Sequence, residues 1–310
     1  MSGVVRQKSL WVPVGGKDRL HLRRIWKNPK GPPLFLIHGS VENGRVFYSE
    51  NGKGLAPFLA EHGYDVYVGD LRGRGASSPA ISRRSAYGQT EQITEDIPAL
   101  LRALRSWRGR TPQHWIAHSW GGVLLAASYA RFPEIRPWVK SMVCFASKRT
   151  IRVFNWEKFL KIDLFWNRGA RLLVGLYGYL PMRELGLGAD NETARSHRQN
   201  RLWIQPHSPW VDPGDGFDYA AALDQTELPP TLHLVGCADR SLGHPRDVED
   251  FIQESHPRYF EYRILGRRWG NRQDYGHIDI LTRPEAREDH FPWLLAWLKG
   301  RALPTRPGQR

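Results

Sequence analysis

Ser119 stands at the junction of two unlike patterns in the stretch HWIAHSWGGVLLAASYA. An apolar run suited to a buried strand precedes it, and a small-residue helical pattern follows it. A serine on such a tight turn projects its hydroxyl above the sheet edge, and Ala117 and Gly121 are small enough for the turn to pack. We therefore predict that Ser119 is a nucleophile. Its hydroxyl needs a neighbouring base, and the base needs a group that orients it.

The segments around Ser119 alternate between strand-like and helical patterns, which is typical of a mostly parallel sheet with helices on both faces. The predicted strands are LHLRRIW, PPLFLIH, YDVYVGD, HWIAHS, VKSMVCFA, TLHLVGCAD and RYFEYRIL. The predicted helices are GKGLAPFLAEHG, ITEDIPALLRALRSW, GGVLLAASYARF, PRDVEDFIQES and REDHFPWLLAWLKG. Residues 148–213 are irregular and rich in aromatic and basic side chains. The sequence thus predicts a core of residues 1–147 and 214–310, with residues 148–213 inserted as a cap.

Five segments in this order resemble the α/β-hydrolase fold superfamily: FLIHGS, YDVYVGDLRGRGASS, AHSWGG, LVGCADRS and YGHIDIL. The resemblance covers nearly all of the chain outside the cap and departs from G-x-S-x-G at Ala117. The segment YGYLPMRELGLGADNETARSHRQNRLW resembles the cap of bacterial predicted serine hydrolases related to lipases and esterases. The resemblance implies an α/β-hydrolase fold, a doubly wound sheet with an inserted cap, and a triad ordered serine, acid, histidine.

Two further residues complete the triad that the resemblance implies. His277 follows the last predicted strand, in a string DYGHIDI that resembles the family's histidine loop, whereas His256 and His290 are expected to be structural. Asp239 follows LHLVGCA at the end of a strand and is the candidate acid. The rivals are Asp212, Asp215 and Asp224 in the loops at the exit of the cap, whereas Asp274 and Asp279 beside His277 are expected to cap turns.

Negative charge on a tetrahedral intermediate calls for fixed backbone N–H groups. The string His38-Gly39-Ser40 after LFLI resembles the family's oxyanion loop. We expect the backbone amides of Ser40 and Trp120 to be the donors, with Val41 as the alternative to Ser40. The residues expected to line the substrate pocket are His38, Gly39, His118, Phe165 and Trp166.

The cap offers many apolar side chains, among them Phe154, Trp156, Phe159, Leu160, Leu164, Phe165 and Trp166. They suit either an acyl-chain pocket or the cap's own small core, since a stripe at helical spacing is commonly buried. Basic residues outnumber acidic ones in IRVFNWEKFLKIDLFWNRGAR. A basic amphipathic helix with aromatic residues also suits the surface of an anionic membrane, so peripheral membrane contact is a further hypothesis.

Composition narrows the function classes. The net charge of +14 attracts anions, but no motif organises the basic residues for nucleic acid, which is not an expected partner. Cys144 and Cys237 lie in apolar runs, and no signal-peptide pattern precedes the core, so we expect no disulfide and a cytoplasmic location. No His, Cys and Asp cluster at ligand spacing, so neither a metal nor a cofactor is expected.

The leading hypothesis is a cofactor-independent serine hydrolase that cleaves a small-molecule carboxylic ester through a Ser-His-Asp triad and an acyl-enzyme. Lipid-derived esters are among the candidate substrates. An acyltransferase with the same triad is the nearest alternative, and a noncatalytic binding protein of the same fold is the alternative from another class. The sequence makes no prediction of oligomeric state.

Overall fold

An eight-stranded sheet forms the centre of the protein, in a computed structural model that describes residues 4–301 and 303. Its strands are β1 (Arg6–Pro13), β2 (Arg19–Trp26), β3 (Pro33–Ile37), β4 (Asp65–Gly69), β5 (Gln113–His118), β6 (Val139–Phe145), β9 (Thr231–Gly236) and β10 (Phe260–Leu265), while β7 (Tyr179–Leu180) and β8 (Glu192–Thr193) form a separate pair. The order across the sheet is β1-β2-β4-β3-β5-β6-β9-β10. Only β2 is antiparallel to its neighbours, β1 and β4. The predicted mostly parallel sheet is therefore confirmed.

Helices cover both faces of this sheet. They are α1 (Leu55–Glu61), α2 (Gln89–Glu91), α3 (Ile97–Arg108), α4 (Trp120–Arg131), α5 (Trp156–Lys158), α6 (Ala170–Tyr177), α7 (Ala194–Trp203), α8 (Tyr219–Asp224), α9 (Pro245–Ser255), α10 (Asp279–Thr282) and α11 (Phe291–Leu298). One core contains Leu101 of α3 and Val123 of α4, and a second contains Leu59 of α1 and Leu294 of α11. The sheet is thus doubly wound.

The interior strands are buried along their whole length, which explains their continuous apolar sequences. The first strand differs, because β1 lies at the sheet edge and most of its residues are exposed or half-buried. It pairs with β2 in a register that sets Leu10 opposite Leu22. The predicted sheet begins at LHLRRIW, so β1 is a strand that was not predicted from the sequence.

The predicted cap, residues 148–213, contains one long irregular helix and a shorter one. A π-helical stretch, Phe159–Gly169, joins α5 to α6, and α7 follows the pair β7 and β8. The ring of Trp203 in α7 lies 6.3 Å from that of Trp120, so this segment contacts the helix that follows Ser119. Among the described helices, none is both long and apolar enough to cross a membrane.

Candidate active site

Ser119 occupies a tight turn between β5 and α4. Its backbone has φ 52° and ψ −125°, a conformation that costs a non-glycine residue about 1–3 kcal/mol. The backbone amide of Ser119 donates to the carbonyl of Phe145 at 2.7 Å, which holds the turn against β6. At Gly121 an added Cβ would lie 2.6 Å from the carbonyl oxygen of His38. The small residue after the turn is therefore needed for the turn to pack against the loop after β3.

The sheet order brings Ser119, His277 and Asp239 into one hydrogen-bonded chain. Nε2 of His277 lies 2.9 Å from Oγ of Ser119, and Nδ1 of His277 lies 2.5 Å from Oδ2 of Asp239. Burial alone would raise the pKa of the Asp239 carboxyl, but the charge and hydrogen bond of His277 hold that pKa below its usual value. The ionised carboxylate accepts from Nδ1–H, which leaves Nε2 free to accept the serine proton.

The competing aspartates and histidines have other partners. These are Tyr219 for Asp212, Arg131 for Asp215, His256 for Asp224, Cys237 for Asp274 and Gly276 for Asp279. The buried His290 donates from Nε2 to the carbonyl of Ile280 at 2.7 Å. In this conformation, Asp239 is the carboxylate paired with His277.

The loop after β3 approaches Ser119 closely. An added Cβ at Gly39 would lie 2.8 Å from Cβ of Ser119, so only glycine fits there. Within the described residues, the backbone amides of Ser40 and Trp120 donate to no protein acceptor. The amide of Val41, the alternative donor, likewise donates to no acceptor in the described residues, and Val41 has a positive φ of 52°. Free amides thus lie beside the serine, as an oxyanion site requires, and the choice between Ser40 and Val41 stays a prediction.

The fully buried His118 and the half-buried Glu42 form an ion pair behind the proposed triad. Oε2 of Glu42 accepts from the amide of Gly39 at 2.9 Å and from Nδ1 of His118 at 2.8 Å. Nε2 of His118 donates to the carbonyl of His277 at 2.8 Å. A carbonyl and a carboxylate can only accept, so both ring nitrogens carry protons and His118 is an imidazolium.

The charges of this pair stabilise each other. Burial opposes protonation of His118, but Glu42 raises the pKa of His118 above its ordinary value. Burial likewise opposes ionisation of Glu42, but His118 outweighs it and lowers the pKa of Glu42 to about 2. Glu42 was not predicted from the sequence as part of the site. Its position three residues after Gly39 nevertheless suits a carboxylate that accepts a hydrogen bond from the backbone amide of Gly39.

Two of the residues predicted to line the pocket, His38 and His118, have protein partners for both ring nitrogens, although His38 also forms part of the wall of a small cavity beside the free amides. His118 is fully buried with both nitrogens engaged, and His38 is fully buried between the carbonyl of Gly39 and the amide of Leu71. This arrangement favours a supporting role for both histidines. Among the described residues, Glu42, His118 and His277 have ligand atoms within 4.8 Å of one another. A metal there would have to displace the ion pair of Glu42 and His118.

Lys148 is a second charged residue that the sequence analysis did not single out. It follows β6 by three residues, is 6 % exposed, and places Nζ 5.6 Å from the ring centroid of Trp120. Within the described part of the chain, its ammonium forms no ion pair and donates no hydrogen bond. Burial lowers the pKa of Lys148, and the more distant Asp239 and Asp247 offset that effect only in part.

A small cavity of about 10 Å³ adjoins the free amides. Its walls are His38, Gly39, Ser40, Leu71, Arg74, Gln92, Trp120, Leu124, Glu192 and Ser196. Arg74 and Glu192 are each 2 % exposed and form a 2.5 Å ion pair between the core and the predicted cap. Since a single water needs roughly 10–15 Å³, an acyl group enters this space only if the predicted cap shifts.

Phe165 and Trp166 lie within the packing of the predicted cap. Both pack against the small core of Ala170, Leu180 and Met182. Trp166 also donates from Nε1 to Oδ1 of Asn200 at 2.9 Å. These contacts favour the interpretation that Phe165 and Trp166 belong to the cap's own core.

The sheet is mostly parallel and doubly wound, and a serine elbow, an oxyanion-type loop and a histidine loop lie at one of its edges. Together these features define an α/β hydrolase. Residues 32–209, more than half of the chain, match the family model described as alpha/beta hydrolase fold. The chain belongs to this family, as the sequence analysis predicts.

The relatives of the chain include lipases and esterases. Gastric triacylglycerol lipase of Rattus norvegicus is 24 % identical over 159 residues, which cover 49 % of this chain and 40 % of the rat enzyme. The match therefore spans less than half of that relative. A thermophilic esterase from Thermogutta terrifontis has a similar structure, with a TM-score of 0.60, 16 % identity, and coverage of 94 % of this chain and 98 % of its own. Carboxylesterase CesB from Bacillus subtilis has a TM-score of 0.59 at 17 % identity, covering 96 % and 93 %.

These structural neighbours share the fold with this chain. Together with the family match, the relatives make the chain a lipase- and esterase-like α/β hydrolase.

Proposed function

We propose that the protein is a cofactor-independent serine hydrolase that cleaves carboxylic esters through Ser119, His277 and Asp239. The observation that supports this most directly is the unbroken hydrogen-bonded chain from Oγ of Ser119 through His277 to Asp239. The two free amides of Ser40 and Trp120 beside the serine supply the second requirement, a site for the oxyanion.

In the proposed reaction, Oγ of Ser119 bonds to the carbonyl carbon while its proton passes to Nε2 of His277. The oxyanion accepts hydrogen bonds from the amides of Ser40 and Trp120. The C–O bond to the alcohol then breaks, and His277 returns the proton to the leaving oxygen. Water repeats the sequence on the acyl-enzyme and releases the acid. Asp239 keeps the imidazole in the reactive tautomer and stabilises its positive charge throughout.

The substrate class and its route of entry are proposed from two observations. The name of the rat relative, a triacylglycerol lipase, supports a lipid-derived ester as one candidate. The cavity of about 10 Å³ beside the free amides is too small for an acyl group in the conformation described, so the ester would enter only when the cap shifts. We further propose that residues 148–213 act as a cap, because Glu192 and Ser196 of this segment form walls of that cavity.

The test is covalent labelling of the purified protein with a fluorophosphonate probe, read by intact mass. We expect one adduct on the wild type and none on Ser119→Ala or His277→Ala. Ser128→Ala is the matched control, since Ser128 is a fully buried serine in α4 whose hydroxyl bonds to Ile93. Labelling of Ser119→Ala at the wild-type rate would refute the assignment of the nucleophile.

A chain-length series of nitrophenyl esters then sizes the acyl site that opens when the cap shifts. Product analysis with an added alcohol distinguishes hydrolysis from acyl transfer, which shares the same acyl-enzyme. A folded wild type that neither labels nor hydrolyses any ester would instead indicate a noncatalytic binding protein.

A further inference from the structure

A continuous stretch of the cap leaves large apolar side chains open to solvent. The members of this group, which we call the cap face, are Phe154, Trp156, Leu160, Leu164, Leu172, Leu176 and Tyr177. Trp156, Leu172 and Leu176 are each at least 70 % exposed. Soluble proteins rarely leave so many large apolar side chains together on the surface unless the patch binds something.

The cap face follows the helical geometry of residues 156–177. Leu160 and Leu164 stand four residues apart, as do Leu172 and Leu176, so each pair projects from one side of the helical segment. The inward side carries Ile162 and Ala170, which are buried. The segment is therefore amphipathic, with one side packed on the protein and the other without a partner in the described structure.

The charged residues of the same segment are unevenly balanced. Lys158 pairs with Asp163 and Lys161 pairs with Glu157, each at 2.8 Å, so these four charges offset one another. Arg168 and Arg171 are exposed, and among the described residues no carboxylate forms an ion pair with either.

A third arginine, Arg201, lies in the same predicted cap. Burial lowers the pKa of Arg201, and the positive charge of Arg171 lowers it further. Nε of Arg201 is buried and has no hydrogen-bond partner within the described chain. Arg168, Arg171 and Arg201 thus carry positive charge in the cap segment for which the described chain supplies no ion-pair partner.

We propose that the cap face docks the protein onto the surface of an anionic phospholipid membrane. The apolar side chains would enter the boundary between headgroups and acyl chains, and Arg168, Arg171 and Arg201 would meet lipid phosphates. A second copy of the chain fits less well, because two copies that each carry a net charge of +14 repel one another. The helical segment is amphipathic rather than apolar all round, which suits a position in the plane of the interface.

The test is co-sedimentation at physiological salt with vesicles of phosphatidylcholine containing about one third phosphatidylglycerol, compared with pure phosphatidylcholine. We expect the wild type to bind the anionic vesicles and to bind the neutral ones weakly. The triple variant Trp156→Ser, Leu172→Ser, Leu176→Ser should lose at least about a hundredfold in affinity, since it removes three large apolar groups. The double variant Arg168→Gln, Arg171→Gln should lose the preference for the anionic vesicles.

The control variant is Tyr259→Ser, Phe260→Ser, which removes two exposed aromatic residues at the start of β10, outside the cap. It should bind vesicles as the wild type does. Thermal denaturation establishes that each variant is folded. Failure of the folded wild type to bind anionic vesicles overturns the proposal, as does equal binding by the triple variant and the control.

Sedimentation equilibrium tests the alternative occupant. A concentration-dependent dimer that the triple variant abolishes, without vesicle binding by the wild type, would assign the cap face to a second copy and overturn the membrane proposal. The proposal does not depend on the triad, so Ser119→Ala should bind vesicles as tightly as the wild type. Failure of labelling and failure of membrane binding are therefore separate results.

Discussion

Replacing Glu42 by glutamine should destabilise the protein at neutral pH far more than its position in a surface loop suggests. The Glu42 carboxylate is the counter-ion of the buried His118 imidazolium and also accepts from the amide of Gly39. A glutamine keeps the size of the side chain but removes the charge. His118 is then left as a buried cation without a counter-ion, or loses a proton together with one of its two hydrogen bonds.

The magnitude follows from the depressed pKa of Glu42. Its ordinary value of 4.5 falls to about 2, and each pKa unit corresponds to about 1.4 kcal/mol, so the pair contributes about 3 kcal/mol at pH 7. The folded-state pKa lies below the unfolded one, so this contribution is complete above about pH 5. It is lost as the pH falls toward 2, and about half remains at pH 3.

Urea denaturation of the wild type and Glu42→Gln at pH 7 measures the loss. Glu50→Gln is the matched control, because Glu50 is 55 % exposed and its pairs with arginine should be worth less than about 1 kcal/mol. The variant Glu42→Gln, His118→Gln lacks both charges, so its stability difference from the wild type should shrink by about 2 kcal/mol between pH 5 and pH 3. A loss below about 1 kcal/mol for Glu42→Gln, or a pH-independent difference for the double variant, would refute this account of the pair.

Three other substitutions test the site. Gly39→Ala, whose Cβ would lie 2.8 Å from that of the nucleophile, should lower kcat/KM for a nitrophenyl ester by about a hundredfold or more, whereas Gly175→Ala, with open space around it, should leave kcat/KM unchanged. Lys148→Met removes a buried ammonium without a counter-ion and should raise the free energy of unfolding by about 1 kcal/mol or more at pH 7. Because the pKa of Lys148 is depressed, that gain should shrink as the pH approaches 10.5, which denaturation at both pH values can check. Glu192→Gln leaves the buried Arg74 without its carboxylate and should cost about 3–5 kcal/mol in urea denaturation.

The sheet was predictable where burial on both faces makes a strand continuously apolar, as in β3 and β5. The edge strand β1 was missed because most of its side chains are exposed or half-buried, so its pattern resembles a polar terminus. Helix α7 was missed for a different reason. Its buried side carries His197 and Asn200 in place of aliphatic residues, and polar side chains that find partners across a fold leave no hydrophobic period in the sequence.

The proposed triad could be placed from sequence because the family resemblance implies its order, and because Ser119 and Asp239 follow the ends of strands. Carboxyl ends of parallel strands meet at one sheet edge, which brings Ser119 and Asp239 to the same place, and His277 reaches them through the loop after β10. Glu42 and Lys148 follow no such rule. Their importance depends on which charges face them across loops distant in sequence, and that information appears only when the chain is folded.

His118 shows how such charges support the proposed site. It ends β5, a strand buried along its whole length, so its polar ring must find partners in the adjoining loops. Those partners are Glu42, in the loop after β3, and the carbonyl of His277, in the loop after β10. One imidazolium therefore links the loops that carry the proposed nucleophile, the proposed base and the proposed oxyanion donors. Charge rather than apolar packing makes this link, so acid should loosen all three loops together. Loss of apolar contacts on the cap face should leave the positions of the three loops unchanged.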